Sequence, residues 1–76
     1  MKIEILGTGC PKCKQLYENV QEALRGIGKD AEVIKVEDIN KITEYGIMMT
    51  PGLVVNGEVK SVGKVLSAGE IKTIIQ

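Results

Sequence analysis

The fold of this 76-residue chain can be worked out from one stretch near its start, Lys2 to Cys13, which reads KIEILGTGCPKC. Its first part alternates, with Ile3 and Ile5 on one face, as in a β-strand. Glycines then interrupt the alternation. Pro11 suits the first turn of a helix, where its missing N–H is not needed. The stretch therefore predicts a strand, a tight loop and a helix that begins within a pair of cysteines.

The apolar positions after Pro11 recur with the spacing of an amphipathic helix. They are Leu16, Val20, Ala23, Leu24 and Ile27. Two glycines, Gly26 and Gly28, are expected to end this helix. Residues 31–36 are rich in valine and isoleucine and predict a second strand. The first half of the chain is thus predicted to be a strand, a helix and a strand.

A shorter helix is predicted next. Asp38 can cap it, Ile39 and Ile42 are expected to be buried beneath it, and Gly46 stops it. Asn56-Gly57 then lies between two apolar runs, which is the strongest short-range signal for a β-hairpin. A final helix is expected to bury Ile71, Ile74 and Ile75, and Ser67 with Glu70 predicts a capping box at its start.

The predicted order is therefore β-α-β-α-β-β-α, an α/β fold in a single domain over residues 1–76. The first two strands are predicted to be parallel and joined by a right-handed crossover through the first helix, and the hairpin adds an antiparallel pair. We expect a four-stranded mixed sheet with helices on both faces. Charges at Lys2, Glu4 and Lys35 suggest that one face of the sheet is only partly covered.

Composition excludes several functions. The chain has ten basic and ten acidic residues, 3% aromatic residues and no histidine. Balanced charge and few aromatic rings argue against nucleic-acid binding. The lack of histidine removes imidazole catalysis. No apolar run approaches the roughly 20 residues that span a membrane. Met1 to Leu6 does not resemble a signal peptide, so we expect a cytoplasmic location. We also expect the protein to be a monomer.

The densest chemical feature is Cys10-Pro11-Lys12-Cys13. A helix N-terminus carries partial positive charge and stabilises a thiolate, and Lys12 adds positive charge nearby. Two intervening residues let the two sulfurs meet across one helical turn. Cys10 is expected to be the exposed, more acidic nucleophile, and Cys13 the thiol that resolves a mixed disulfide.

Other interpretations of the cysteine pair remain open. A structural disulfide would close a very small loop and constrain the unfolded chain little, and it would be unusual in a reducing cytosol. Zinc prefers four ligands, whereas two thiolates can hold Cu(I) in a two-coordinate site, so a soft-metal carrier is the main alternative. The thiols would be idle if the chain were a non-catalytic interaction module.

The sequence resembles the thioredoxin superfamily, in particular the small prokaryotic thioredoxin-like redox-active disulfide proteins. The resemblance lies in GTGCPKC over 7–13, in Thr50-Pro51, and in the hairpin and helix that follow. It implies a thiol–disulfide oxidoreductase that exchanges a Cys10–Cys13 disulfide with client protein disulfides. No further cofactor and no metal are then expected. A thioredoxin-reductase-like protein or a low-molecular-weight thiol would be the reductant.

The resemblance also implies roles for residues outside the cysteine pair. Pro51 would be cis and face the cysteines, and the Thr50 backbone would pair with an extended substrate strand. Thioredoxins carry a buried aspartate before the active-site loop, and counting back from Cys10 places Glu4 there. Glu4 would then take the proton of Cys13. The alternative is an exposed strand charge paired with a lysine.

Met48 and Met49 stand just before this predicted substrate-binding segment. Methionine is an adaptable apolar residue that suits both irregular cores and docking surfaces. The pair is therefore expected either to fill the core or to form a soft docking rim.

Overall fold

A computed structural model describes residues 1–9 and 11–76 of the chain. Its elements are β1 (Lys2–Leu6), α1 (Pro11–Ile27), β2 (Glu32–Val36), α2 (Ile39–Glu44), β3 (Gly52–Val55), β4 (Glu58–Val62) and α3 (Ala68–Ile75). The predicted β-α-β-α-β-β-α order is confirmed. No helix within the described residues has both the length and the apolar character needed to cross a bilayer.

The four strands form one mixed sheet in the order β2-β1-β3-β4. β1 is parallel to β2, whereas β3 is antiparallel to both β1 and β4. The central strands β1 and β3 carry most of the buried positions, and every residue of β3 is buried. The carboxyl ends of β1 and β2 therefore lie side by side at one edge of the sheet, where the loop to α1 begins.

The larger core lies between the sheet and the helices α1 and α3. Ile3 and Ile5 of β1 point into it. The helices contribute the stripes that their periodicity predicts, which are Leu16, Val20, Ala23 and Leu24 from α1 and Ile71 and Ile75 from α3. Burial of an aliphatic side chain stabilises a fold by about 1.5–3 kcal/mol. This core thus contributes much of the stability of the fold and holds α1 against the sheet. The described residues between β1 and α1, residues 7–9, are called the cysteine loop below.

A smaller core lies on the opposite face, beneath α2. It contains Leu6, Val36, Ile42, Ile47 and Val54. Ile42 is buried as predicted, but Ile39 is 66% exposed, so the expectation that it is buried is wrong. The reason is the length of α2, because a helix of six residues completes fewer than two turns and offers few positions that contact the sheet.

The strand charges are divided between the two faces. Glu4 alternates with Ile3 and Ile5 and therefore shares the face of α2. Lys35 pairs with Ile5 across the parallel ladder and faces α1, with its Nζ 4.4 Å from the ring centroid of Tyr17. The charges at 2, 4 and 35 hence do not mark a single exposed face.

Local signals at the element ends correspond closely to the structure. α1 continues through Gly26 and ends at Ile27, and Gly28 has a φ of 66°. The amide of Gly28 donates to the Arg25 carbonyl, and that of Lys29 donates to the Leu24 carbonyl. This pair of bonds is a Schellman motif, which satisfies carbonyls that the helix end leaves open.

The hairpin turn and the last helix also follow their sequence signals. Asn56 and Gly57 have φ values of 51° and 82°, as a two-residue hairpin turn with positive φ requires. Ser67 and Glu70 form the predicted capping box, with the Glu70 amide donating to Ser67 Oγ over 3.2 Å. The turn therefore joins β3 to β4, and the capping box satisfies backbone N–H groups at the start of α3.

Candidate redox site

Cys13 lies in the first turn of α1 and is 6% exposed. That turn contains no acidic residue, whereas Lys12 and Lys14 flank Cys13 and are both exposed. Positive charge and a helix N-terminus both favour the thiolate form of a nearby cysteine. Cys10 lies outside the described residues, so its predicted exposure and acidity stay predictions.

Gly7 brings three segments of the chain together. A Cβ atom at Gly7 would overlap the Sγ of Cys13 and would lie 3.2 Å from the Cys13 Cβ and 3.8 Å from the Thr50 Cβ. The end of β1, the start of α1 and the loop before β3 therefore meet here. The sequence shows Gly7 as part of the glycine loop, but only the packing shows that its missing side chain makes room for Cys13.

Thr50 and Pro51 stand next to this meeting point. Their peptide bond is cis, Pro51 is fully buried and Thr50 is exposed. The Pro51 carbonyl accepts a hydrogen bond from the Gly63 amide over 2.8 Å, which ties this loop to the end of β4. The structure thus places Thr50 near Cys13 and leaves it accessible to a partner.

Met48 and Met49 are exposed, by 98% and 63% respectively. The alternative that they fill the core is therefore wrong. Met49 lies against Gly63: a Cβ atom added to Gly63 would be 3.2 Å from the Met49 Cε. We call Met48 and Met49 the methionine rim. The rim precedes Thr50 directly and presents flexible, polarizable apolar surface beside the site.

A small cavity of about 40 Å³ lies beside Cys13. It is lined by Ile5, Gly9, Cys13, Lys14, Lys35 and Glu37. The carboxylate of Glu37 reaches the cysteine loop, since a Cβ atom on Gly9 would lie 3.7 Å from the Glu37 Oε1. Lys35 and Glu37 were not among the predicted site residues. The available signal was their position at the end of β2, which parallel pairing brings next to the end of β1.

Glu4 occupies a different environment. It is only 7% exposed, and its Oε2 accepts a hydrogen bond from the hydroxyl of Tyr45 over 2.7 Å. Its Oε1 lies 3.6 Å from the Nζ of Lys2. Glu4 is thus paired with a lysine but is not an exposed charge. It faces α2, whereas Cys13 and Ile5 lie on the other face, so the structure does not bring Glu4 and Cys13 together.

The contact with Glu4 also changes the chemistry of Tyr45. The hydrogen bond to the carboxylate raises the pKa of Tyr45 above its ordinary value of 10.0, and desolvation and the negative charges of Glu4 and Glu44 act in the same direction. Deprotonation would place a phenolate against a carboxylate. Tyr45 therefore keeps its hydroxyl proton at neutral pH, and its hydrogen bond to Glu4 links β1 to the end of α2.

The described part of the chain bears on one kind of metal site, that formed by three or more side chains. No group of three or more cysteine, aspartate, glutamate or histidine side chains there is arranged to hold a metal ion. A site made by the two cysteines alone would include Cys10, which lies outside that part. The soft-metal alternative therefore has to be tested in solution.

The arrangement described above, a cysteine in the first helical turn after β1 and a cis-proline loop beside it, is that of a thiol-based redox fold. A family model described as a thioredoxin domain matches residues 1–76. The chain belongs to the thioredoxin family of disulfide oxidoreductases.

Individual relatives agree with this assignment. The chain is 47% identical to a thioredoxin of Methanothermobacter thermautotrophicus over 75 residues, which cover 99% of this chain and 97% of the relative. It is 49% identical to a thioredoxin of Methanocaldococcus jannaschii over 70 residues, covering 92% and 80%. A probable thioredoxin of Methanothermobacter marburgensis is 36% identical over 67 residues, covering 83% and 79%.

Proposed function

We propose that this protein reduces disulfide bonds in client proteins with the thiols of Cys10 and Cys13. Cys10 attacks a client disulfide, a mixed disulfide forms, and Cys13 then displaces the client thiol. A thioredoxin-reductase-like protein or a low-molecular-weight thiol restores the dithiol. The observation that carries the proposal is the position of Cys13 in the first turn of α1, packed against Gly7 next to Thr50.

The client would bind as an extended segment along Thr50. The exposed Thr50 backbone offers strand-like pairing, and the methionine rim offers apolar contact to the segment's side chains. The dithiol needs a reducing compartment, so we propose that the protein acts in the cytoplasm. We also propose that it acts as a monomer.

Single cysteine variants test the exchange mechanism. The Cys13→Ser variant should form mixed disulfides that persist, because a serine hydroxyl stays protonated at neutral pH and does not attack sulfur. The Cys10→Ser variant should form none. Non-reducing gels with a protein disulfide such as insulin should show the adduct, and dithiothreitol should remove it. Identical behaviour of the two variants, with no insulin reduction by the wild type, would refute the proposal.

The same preparation separates the enzyme from a metal carrier. We expect a reversible two-electron couple in a glutathione or dithiothreitol redox buffer, with turnover on the disulfide substrate. The titration is then repeated with stoichiometric Cu(I) and with Zn(II). Tight binding of either ion without turnover would favour the soft-metal carrier instead.

The docking role of the rim has its own matched test. Met48 is almost fully exposed, so Met48→Gln should leave stability unchanged. Loss of its apolar contact should lower kcat/KM for a protein client by up to about 10-fold, since partial burial of such a side chain contributes less than the roughly 1.5 kcal/mol of full burial. Ile39→Gln removes another exposed apolar side chain, from α2 on the sheet face opposite to α1 and Cys13, and should leave kcat/KM unchanged. Equal effects of both variants would count against docking at the rim.

A further inference from the structure

The cavity beside Cys13 connects a buried sulfur to a carboxylate. Cys13 is 6% exposed, so its thiol proton has little direct access to bulk water. The cavity volume of about 40 Å³ exceeds the roughly 10–15 Å³ that a cavity needs in order to hold one water molecule. Cys13 and Glu37 both line this cavity. One water molecule can therefore bridge the thiol and the carboxylate.

Glu37 is available to act as a base. Among the described residues the ion pairs are Lys2–Glu4 and Lys60–Glu58, so no lysine holds the Glu37 carboxylate. The side chain is exposed and can exchange a proton with solvent.

The other charged groups that face the cavity are both cationic. They are Lys14 from α1 and Lys35 from β2, and Lys35 lies over the Tyr17 ring. β1 contributes only Ile5 and the cysteine loop only Gly9, so Glu37 is the one carboxylate among the described residues that line this space.

We propose that Glu37 accepts the proton that Cys13 loses when it resolves the mixed disulfide. This proposal rests on the proposed function and names the base for its second step. The S–H bond of Cys13 gives its proton through the bridging water to Glu37. The Cys13 sulfur bonds to the Cys10 sulfur, and the bond between Cys10 and the client breaks. The electron pair leaves on the client sulfur, so Cys13 is oxidised and the client sulfur is reduced. Glu37 returns the proton to solvent.

A purely electrostatic role of Glu37 predicts the opposite effect. A negative charge near a thiol disfavours the thiolate. If Glu37 acted only through its charge, Glu37→Gln would increase the thiolate fraction of Cys13 and speed resolution. A base that receives the proton predicts slower resolution in the same variant. The sign of the change therefore distinguishes the two roles.

Stopped-flow kinetics with an equimolar aromatic disulfide gives the test, because each thiol product absorbs light on release. The first equivalent reports attack by Cys10, and the second reports resolution by Cys13. At neutral pH we expect Glu37→Gln to slow the second phase by about 100-fold, at the low end of what general base catalysis contributes. The first phase should change less than twofold. Above about pH 9, where an ordinary cysteine thiol ionises without a base, the two proteins should converge.

Two further variants complete the experiment. Glu37→Asp keeps the carboxylate and should recover part of the second-phase rate, and Glu4→Gln should leave that phase unchanged. A second phase in Glu37→Gln that is as fast as in the wild type, or faster, would overturn the role of Glu37 alone. Failure to observe any first-phase release would overturn both this proposal and the oxidoreductase mechanism on which it rests.

Discussion

Replacement of Gly7 by alanine is expected to destabilise the protein through a single contact. The new Cβ would overlap the Cys13 Sγ and lie 3.2 Å from the Cys13 Cβ. Neither side can move easily, because Cys13 is buried in α1 and the Gly7 amide donates to the Val36 carbonyl over 2.9 Å. Gly7 is not among the glycines with positive φ, so the cost is steric and not conformational.

The magnitude follows from this overlap. Overpacking a well-packed interior by one methyl group costs about 1–3 kcal/mol, and alanine's smaller unfolded-state entropy offsets roughly 0.4–1 kcal/mol of that. We expect a net loss of about 1–2 kcal/mol in the free energy of unfolding. For a domain of this size that corresponds to a fall in Tm of roughly 4–16 °C.

Urea unfolding in excess dithiothreitol measures the effect without any contribution from a disulfide. Cys13→Ala removes the overlapping sulfur, so Gly7→Ala should cost at least about 0.5 kcal/mol less in that background, a coupling that a double-mutant cycle resolves. The Gly69→Ala control places its Cβ no nearer than 3.9 Å to Ser67 Oγ and should be neutral or slightly stabilising. A cost for Gly7→Ala that is unchanged when Cys13 is alanine would refute the contact as its cause.

Three further outcomes are expected. Ser67→Ala should lower the free energy of unfolding by about 0.5–2 kcal/mol in urea titrations, because it removes the capping box of α3. Gly26→Ala should raise the free energy of unfolding by roughly 0.5–1 kcal/mol, since the helix gains propensity and the atoms nearest to the new Cβ belong to the flexible end of Lys72. A loss of stability would show that the Lys72 side chain cannot move aside. The Tyr17→Phe variant leaves Tyr45 as the one tyrosine, and its absorbance titration should give a midpoint above 10.0. Because the pKa of Tyr45 is raised in the folded state, the stability that its contact with Glu4 contributes should be present below pH 10 and lost as the pH rises above it.

Local signals in the sequence identified most of the fold correctly. Four of these signals depend on interactions within a few residues, so the local sequence alone predicts them. They are the alternation in β1, the periodicity of α1, the Asn56-Gly57 turn and the capping box of α3. The error at Ile39 arose where local pattern was insufficient, because burial there depends on how much of the sheet a six-residue helix can cover.

The sequence by itself determined the family, the order of elements and the two cysteines, because each is carried by a short contiguous motif. The tertiary structure alone decided which side chains meet around Cys13. Strand alternation places Glu4 against Tyr45 on the α2 face, and parallel pairing of β1 with β2 brings Glu37 to the cysteine loop. These contacts join residues far apart in the chain, and a one-residue change of strand register would reverse which face each residue occupies.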